Sequence, residues 1–116
     1  MKDTESQCNG RNLNLSYSAG DEKRLSQILM ALADPVRLQI AAIISSRGSL
    51  CSCDLEEPVQ KSQPTISHHT KVLAEAGLIV AEKKGKWVWW NINPDAVNFL
   101  SDKLATLFGS ASEADR

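Results

Sequence analysis

The sequence has no long apolar run and no strong excess of either charge. None of its apolar stretches approaches the ~20 residues that a membrane-spanning helix needs, and Met1-Lys2-Asp3 is not followed by the apolar core of a signal peptide. We therefore expect a cytoplasmic protein with no membrane partner. The formal net charge is −1, whereas nucleic-acid-binding proteins are typically basic. An average over the chain can nevertheless conceal a local basic region.

Cysteine is scarce, and its number is odd: the chain contains Cys8, Cys51 and Cys53. An odd number of cysteines without a secretion signal does not predict a disulfide framework, so we expect free thiols. The sequence also lacks a glycine-rich anion-binding loop and a βαβ pattern, the usual settings of a catalytic cysteine with a low pKa. A small thiol reductase is therefore only a remote alternative, and we expect the protein not to be an enzyme.

The composition suits one folded domain with polar ends. Of the 116 residues, 42% are hydrophobic and 23% are charged, which is typical of a globular protein. Residues 1–20 are polar and rich in Asn, Ser and Gly, which predicts a flexible N-terminal arm. We expect the folded domain over residues 21–108 and a disordered tail over residues 109–116.

Two helices are predicted at the start of this domain. Apolar residues follow Asp21 at helical spacing, at Leu25, Ile28, Leu29 and Leu32. Asp34 and Pro35 then provide an N-cap and a first helical residue. The second helix, which ends near Gly48, is apolar on all sides, and this pattern is typical of a central core helix.

A helix with one apolar stripe is predicted after a short element at residues 51–59. It begins at Pro64, continues to about Ala76 and ends at Gly77. The inward stripe consists of Ile66, Thr70 and Leu73, with His69 beside it. The outward face is polar, with Thr, Ser, His and Lys side chains available for hydrogen bonds.

A hairpin and a last helix complete the domain. Strands are predicted at residues 78–82 and 87–92, with a hairpin tip at the lysine-rich residues 83–86. The three tryptophans of the second strand are interpreted as packing residues. Asn93 and Pro94 start the last helix, whose apolar residues form a narrow seam at Val97, Leu100, Leu104, Leu107 and Phe108.

This order of elements predicts a mainly α fold of the winged helix-turn-helix type, with about five helices and a two-stranded wing. The charge distribution favours DNA as a partner. Residues 61–90 carry five lysines and two glutamates, a net charge of +3, while the remaining parts of the chain are all negative. Lysines neutralise phosphates, and the polar side chains on the outward face of the helix are of the kinds that read base edges.

Three motifs resemble those of the ArsR family of winged-helix metalloregulatory repressors, and they occur in the family's order. Ser62–Gly77 (SQPTISHHTKVLAEAG) resembles the recognition-helix signature, and Ala33–Leu38 (ADPVRL) resembles the start of the second helix. Gly85-Lys86, with the aromatic strand that follows, looks like the wing. The resemblance covers most of the chain. Thr70 departs from it, since the family usually has leucine at that position.

The resemblance implies a homodimer that binds a near-palindromic operator in double-stranded DNA and releases it when a metal or metalloid binds. The first and last helices are the expected dimer surface. The positions that match the family's DNA-reading residues are Ser62, Gln63, Thr65, Ser67 and His68 on the helix, with Lys84 and Lys86 in the wing. We add Lys71, which lies on the outward face of the same helix.

Cys51 and Cys53 lie in Leu50–Leu55 (LCSCDL), which resembles the Cys-Val-Cys-Asp-Leu box of family members that respond to arsenic, cadmium or lead. Thiolates are soft ligands that select thiophilic ions. We expect As(III) or Sb(III) as the inducer and no organic cofactor. On an intact helix, residues i and i+2 point about 200° apart, so we expect ion binding to distort the helix start and displace the recognition helix.

A pyramidal As(III) or Sb(III) site needs a third ligand. Arsenic sensors that place all three ligands on one helix have a cysteine where this chain has Glu56. Cys8 is the remaining thiol, and a flexible arm reaches up to ~40 Å, enough to meet either cysteine pair of a dimer. A cadmium, lead or bismuth sensor and a thiol-redox switch stay open as alternatives. His68 and His69 are interpreted as a DNA-contacting residue and a packing residue, and not as ligands.

Overall fold

A computed structural model describes residues 19–109, and the structural statements below concern that part of the chain. Its elements, in order, are α1 (Ala19–Leu32), α2 (Pro35–Arg47), β1 (Leu50–Cys51), a 3-10 helix (Ser52–Leu55), α3 (Glu56–Val59), α4 (Gln63–Glu75), β2 (Ile79–Lys84), β3 (Trp87–Ile92) and α5 (Pro94–Phe108). The predicted mainly α fold, with five helices in the described residues, is confirmed. The prediction for Cys8 lies outside these residues, as does nearly all of the predicted arm and tail.

The first two helices form as the sequence predicts, although α1 begins two residues before Asp21. The carboxylate of Asp34 accepts hydrogen bonds from the N–H groups of Val36 at 2.8 Å and Arg37 at 3.1 Å, which satisfies donors in the first turn of α2. No single described helix is long and apolar enough to cross a membrane. α1 and α2 meet those criteria only as a pair, which is bent by 98°.

Burial of α2 is confined to one side of the helix. Ile40 and Ile44 are inaccessible to solvent, as expected for a helix that contributes to the core. Leu38, in contrast, is 54% exposed, so α2 is not buried all round within one chain. The apolar residues of α2 therefore form two surfaces, one that packs in the core and one that is exposed at Leu38.

The sheet contains a strand that the sequence does not predict. Its order is β1-β3-β2, with all pairs antiparallel, whereas only a two-stranded wing is expected. β1 places Leu50 opposite Trp90 and Cys51 opposite Trp89. A strand of two residues is too short to show periodicity, which is why it escapes detection in the sequence.

The hairpin is longer than predicted and its turn is tighter. β2 extends to Lys84, which pairs with Trp87, so only Gly85 and Lys86 form the turn. Gly85 has a φ of 66°, in the left-handed region that favours glycine. Lys84 and Lys86 thus flank the tip of a regular two-stranded ribbon.

The predicted inward stripe of α4 is confirmed, and it anchors the helix in the core. Ile66 and Leu73 are fully buried, and Thr70 is 2% exposed. The Thr70 hydroxyl donates to the carbonyl oxygen of Ser67 at 3.1 Å, so its buried polar group has a partner. The largest fully buried side chains come from α1, α2, the 3-10 helix, α4 and β2: Ile28, Ile40, Ile44, Leu55, Ile66, Leu73 and Ile79.

Helix α5 packs on α1 and leaves part of its apolar seam open. The Nζ atom of Lys103 lies 3.2 Å from a carboxylate oxygen of Asp21, and the Arg24 guanidinium lies 4.2 Å from the centre of the Phe99 ring. The seam itself is only partly covered within one chain, because Val97 and Phe108 remain exposed. The two residues are on the same face of α5, and exposed apolar side chains along one helix face are typical of an interface.

Candidate thiol site and nucleic-acid interface

The two cysteines that the sequence predicts as ligands lie side by side. Cys51 ends β1 with an extended backbone (φ −80°, ψ 149°), and Cys53 follows in the 3-10 helix. The Sγ atom of Cys53 donates to the Sγ atom of Cys51 at 2.9 Å. The expectation that the pair lies on a helix, and that an ion must distort this helix to bring the sulfurs together, is wrong. The backbone changes from strand to 3-10 helix between them. This change places the two sulfurs next to each other without any distortion of a helix.

The two thiols differ in exposure, and the surroundings of Cys53 raise its pKa. Cys51 is buried, whereas Cys53 is exposed. The hydrogen bond between the thiols raises the pKa of Cys53 above its usual value of 9.0, and desolvation and the negative charges of Cys51 and Asp54 act in the same direction. Cys53 therefore holds its proton at neutral pH and must give it up when its sulfur bonds to an ion.

An open pocket of about 480 Å³ lies beside Cys53. It is lined by Arg47, Cys53, Asp54, Glu57 and Pro58. Within residues 19–109, no group of three or more His, Cys, Asp or Glu side chains could hold a metal ion. The cysteine pair thus supplies two soft donors that fit a thiophilic ion, and a third donor has to come from outside the pair.

Ser52, between the two cysteines, contacts both elements that are predicted to touch DNA. Its Oγ atom accepts a hydrogen bond from the indole Nε1 of Trp90 on β3 at 2.8 Å. Its carbonyl oxygen accepts from Nε2 of Gln63 on α4 at 3.2 Å. The sequence gives these contacts no visible signal, because they join residues 11 and 38 positions apart in the chain.

The predicted DNA-reading residues of α4 form one polar face. Ser67, His68 and Lys71 are exposed, and Thr65 is half-buried at the edge of the face. Ser62, which precedes the helix, donates from its Oγ to Oγ1 of Thr65 at 3.2 Å. The fixed inward stripe holds this face toward solvent, where it is available to a partner.

Gln63 is engaged within the chain rather than on that face. Its Nε2 donates to the Glu56 carboxylate at 2.6 Å in addition to the Ser52 carbonyl. The side chain is half-buried by these contacts. A contact between Gln63 and a base stays a prediction, and it would require the amide to exchange partners.

The wing places its lysines beside aromatic rings and next to α4. The Nζ atom of Lys84 lies 5.3 Å from the centre of the Trp89 ring, and that of Lys86 lies 5.9 Å from the centre of the Trp87 ring. A cleft of about 460 Å³ lies between the wing and α4, and it is lined by residues of both elements and of the 3-10 helix: Ser52, Ser67, Thr70, Lys71, Ala74, Glu75, Val88 and Trp90.

His69 is held among other side chains, in keeping with its interpretation as a packing residue. It is half-buried, and its Nδ1 atom lies 3.4 Å from a guanidinium nitrogen of Arg37. Burial lowers the pKa of His69, and the positive charge of Arg37 lowers it further, against the opposing effect of Asp34. His69 is therefore neutral at pH 7 and adds no charge to the polar face of α4.

A core-anchored helix that presents a polar face, followed by a basic β-hairpin, defines the class of winged helix-turn-helix DNA-binding proteins. The family model described as bacterial regulatory protein, arsR family, matches residues 34–80. The arsenical resistance operon repressor of Bacillus subtilis is 38% identical over 94 residues, which are 80% of this chain and 90% of that protein. The chain belongs to the ArsR family of transcriptional regulators.

Two solved structures share the fold. An ArsR-like transcriptional regulator from Rhodococcus sp. RHA1 superposes with a TM-score of 0.70 at 22% identity, over 84% of this chain and 89% of that one. A homodimeric winged helix-turn-helix DNA-binding domain from Mycobacterium bovis has a TM-score of 0.64 at 20% identity, over 78% of this chain and 83% of that one. At these identities the structures are evidence for the fold alone.

Proposed function

We propose that this protein is a homodimeric transcriptional repressor that leaves its operator when As(III) or Sb(III) binds to its cysteine thiols. The observation that carries the proposal is the pair of thiols 2.9 Å apart in the segment that leads into the helix-turn-helix. The relative named as an arsenical resistance operon repressor supports the same class of inducer. We place the protein in the cytoplasm, where reducing conditions keep such thiols free.

When arsenite, As(OH)₃, binds, the cysteine thiols replace its hydroxide ligands. Each cysteine sulfur forms a bond to arsenic, the arsenic–hydroxide bond breaks, and the thiol proton leaves with the hydroxide as water. No electrons are transferred in this exchange. Cys51 and Cys53 supply two sulfurs, and we assign the third to Cys8, which completes a three-sulfur site.

The polar face of α4 and the wing are the proposed contacts with DNA. Ser67, His68 and Lys71 are exposed on α4 for contact with base edges and phosphates, and Lys84 and Lys86 are exposed at the wing tip for contact with phosphates. In a symmetric dimer two such faces read two half-sites, so the operator is expected to be near-palindromic.

The proposed dimer surface combines α1 and α5, with the exposed side of α2 next to them. Large apolar side chains that one chain leaves exposed lie on these helices: Leu29, Met30, Leu38, Val97 and Phe108. A second copy would remove this surface from water, which is favourable at roughly 25 cal/mol per Å². The Mycobacterium bovis domain with the same fold is described as homodimeric.

The test is the release of DNA by arsenite. A duplex is selected from a random pool with the wild-type protein, and its dissociation is followed by fluorescence anisotropy as arsenite is added. We expect the wild-type protein to release the duplex, and Cys51→Ser and Cys53→Ser to bind it equally well but to retain it in arsenite. Normal release by both variants would show that the pair is not the sensor.

The third ligand is tested separately by counting sulfur atoms around arsenic with X-ray absorption. We expect three sulfurs in the wild-type protein and two in Cys8→Ser. An unchanged count in the variant would remove Cys8 from the site while leaving the role of Cys51 and Cys53 intact.

A cadmium-responsive repressor is the second candidate, because the two adjacent thiols are soft donors that Cd(II) also prefers. A relative from Staphylococcus aureus that is 33% identical over 79 residues is named as a cadmium resistance transcriptional regulatory protein CadC homolog. The same release assay with Cd(II) in place of arsenite compares the two ions. The ion that releases the duplex at the lower free concentration is the inducer that the site prefers.

A further inference from the structure

We propose that Ser52 is the residue that couples the thiol pair to both DNA-contacting elements, one hydrogen bond leading to the recognition helix α4 and the other to the wing. This inference rests on the proposed function, because it needs an ion that binds at Cys51 and Cys53 and weakens DNA binding. It goes further by naming the contacts through which the two sites communicate. Coupling of this kind requires distinct contacts in the two states of the protein.

The first connection leads to the recognition helix. Gln63 is the first residue of α4, and its Nε2 donates to the Ser52 carbonyl at 3.2 Å and to the Glu56 carboxylate at 2.6 Å. Both acceptors belong to the segment that contains the cysteines. A shift of the Ser52 peptide therefore changes the position of the N-terminal end of α4, which is the end that a recognition helix presents to bases.

The second connection leads to the wing. The indole of Trp90 donates to the Ser52 Oγ at 2.8 Å, and Trp90 pairs with Leu50 on one side and Ala81 on the other. The same side chain lines the cleft between α4 and the wing. The hydrogen bond to Ser52 thus fixes the wing ribbon relative to the segment that carries the thiols.

Ion binding acts on Ser52 because this residue lies between the two ligands. In the structure the two sulfurs share a hydrogen bond at 2.9 Å. Both sulfurs lose that bond when they bond to an ion, and their separation and direction are then set by the ion. Ser52 is the residue between the two cysteines, so a change in the positions of the sulfurs alters its backbone conformation. Its carbonyl and its hydroxyl then move relative to Gln63 and Trp90.

The test compares the affinity for the selected duplex with and without arsenite. The ratio of the two dissociation constants measures the coupling, and a purely structural role of Ser52 would leave it unchanged. Ser52→Ala and Trp90→Phe each remove the side-chain hydrogen bond. We expect each to reduce the ratio by about fivefold, the equilibrium factor that corresponds to one hydrogen bond, and the double variant to lose no more than either single one.

Two matched variants control for general damage. Ser52→Thr keeps a hydroxyl and should restore the wild-type ratio. Trp87→Phe makes the same change at an exposed tryptophan on the same strand and should leave the ratio unaltered. Arsenite stoichiometry is measured for every variant, and we expect it to equal that of the wild-type protein.

The outcomes separate this inference from the proposed function. If the wild-type protein releases the duplex, and Ser52→Ala, Trp90→Phe and Gln63→Leu (which removes the bond to the Ser52 carbonyl) all release it with the wild-type ratio, Ser52 is not the coupling residue and the proposed function stands. If the wild-type protein keeps the duplex in arsenite while binding it well, the proposed function fails, and the coupling role fails with it.

Discussion

Cys53 is the exposed member of the thiol pair, and its proton distinguishes between the two classes of inducer. Its pKa is raised above 9.0 by the hydrogen bond to Cys51, so the thiol stays protonated between pH 6 and 8. A cation such as Cd(II) must displace that proton into solution. Arsenous acid, in contrast, supplies the hydroxide that carries the proton away as water.

We predict that release of the Cys53 proton makes the affinity for Cd(II) rise by about tenfold per pH unit between about pH 6 and 8. The affinity for arsenite should stay nearly constant over the same range. The sign follows from mass action, since raising the pH removes a competitor of Cd(II) only. Competition titrations with a chromophoric chelator measure how the logarithm of the Cd(II) affinity changes per pH unit. Cys53→Ser should lower this slope by about one, because one fewer proton is released on binding. A Cd(II) affinity that is flat with pH would contradict the raised pKa.

His68 and Lys86 are expected to act on DNA in different ways. If the exposed imidazole of His68 reads a base edge as proposed, we predict that His68→Ala costs about 1–3 kcal/mol on the preferred duplex and relaxes the preference at one base pair. Lys86→Ala should instead weaken binding to all duplexes and lower the salt slope by about 0.9 per subunit. Binding measured over a salt series with preferred and mismatched duplexes tests both. An untouched sequence preference in His68→Ala would rule out base reading there.

At the scale of elements, Asn93 connects the recognition helix to the helix of the proposed dimer surface. Its side-chain oxygen accepts from the N–H of Asp95 at 3.1 Å and caps α5, as the sequence predicts. Its Nδ2 donates to the carbonyl oxygen of Gly77, just after α4, at 2.9 Å. The cap is readable from the sequence, whereas the bond to Gly77 requires the folded chain.

We predict that Asn93→Ala destabilises the fold by about 2 kcal/mol, of which about 1 is the lost cap and about 1 the lost hydrogen bond to Gly77. Asn93→Ser keeps a capping oxygen and should lose only about half as much. Urea denaturation at one fixed protein concentration measures both variants, since the stability of a dimer depends on concentration. Equal losses in the two variants would mean that the cap contributes nothing.

The segment from β1 to α4 shows why an element can be misread when each residue is read correctly. The residue types of Cys51 and Cys53 favour a thiophilic site. A segment this short shows no periodicity, so the sequence predicts a short helix where the chain forms a strand followed by a 3-10 helix. The strand at Leu50–Cys51 exists because β3 offers a free edge to pair with. That edge lies almost forty residues away in the sequence, so local patterns carry no information about it.

For the whole molecule, we predict that Val97→Asp converts the protein to monomers and weakens DNA binding. Val97 is 40% exposed on the apolar seam of α5, and a charge there would be buried without a partner in a dimer. The matched control is Thr106→Asp, which introduces the same charge nine residues after Val97, about 180° round the helix. This variant should leave the dimer intact. Analytical ultracentrifugation gives the oligomeric state. A dimer in Val97→Asp would place the interface elsewhere.

The sequence is sufficient to predict the long helices, their N-caps, the inward stripe of α4 and the chemistry of the candidate sites. These features depend on residue type and on spacings of a few residues, so Asp34, Thr70 and the lysines of residues 61–90 could be interpreted without a structure. The tertiary structure alone decided that β1 pairs with β3, that the two thiols meet, and that Ser52 bonds to Trp90 and Gln63. Those contacts join residues distant in the chain, and their geometry arises only when the core fixes the elements relative to one another.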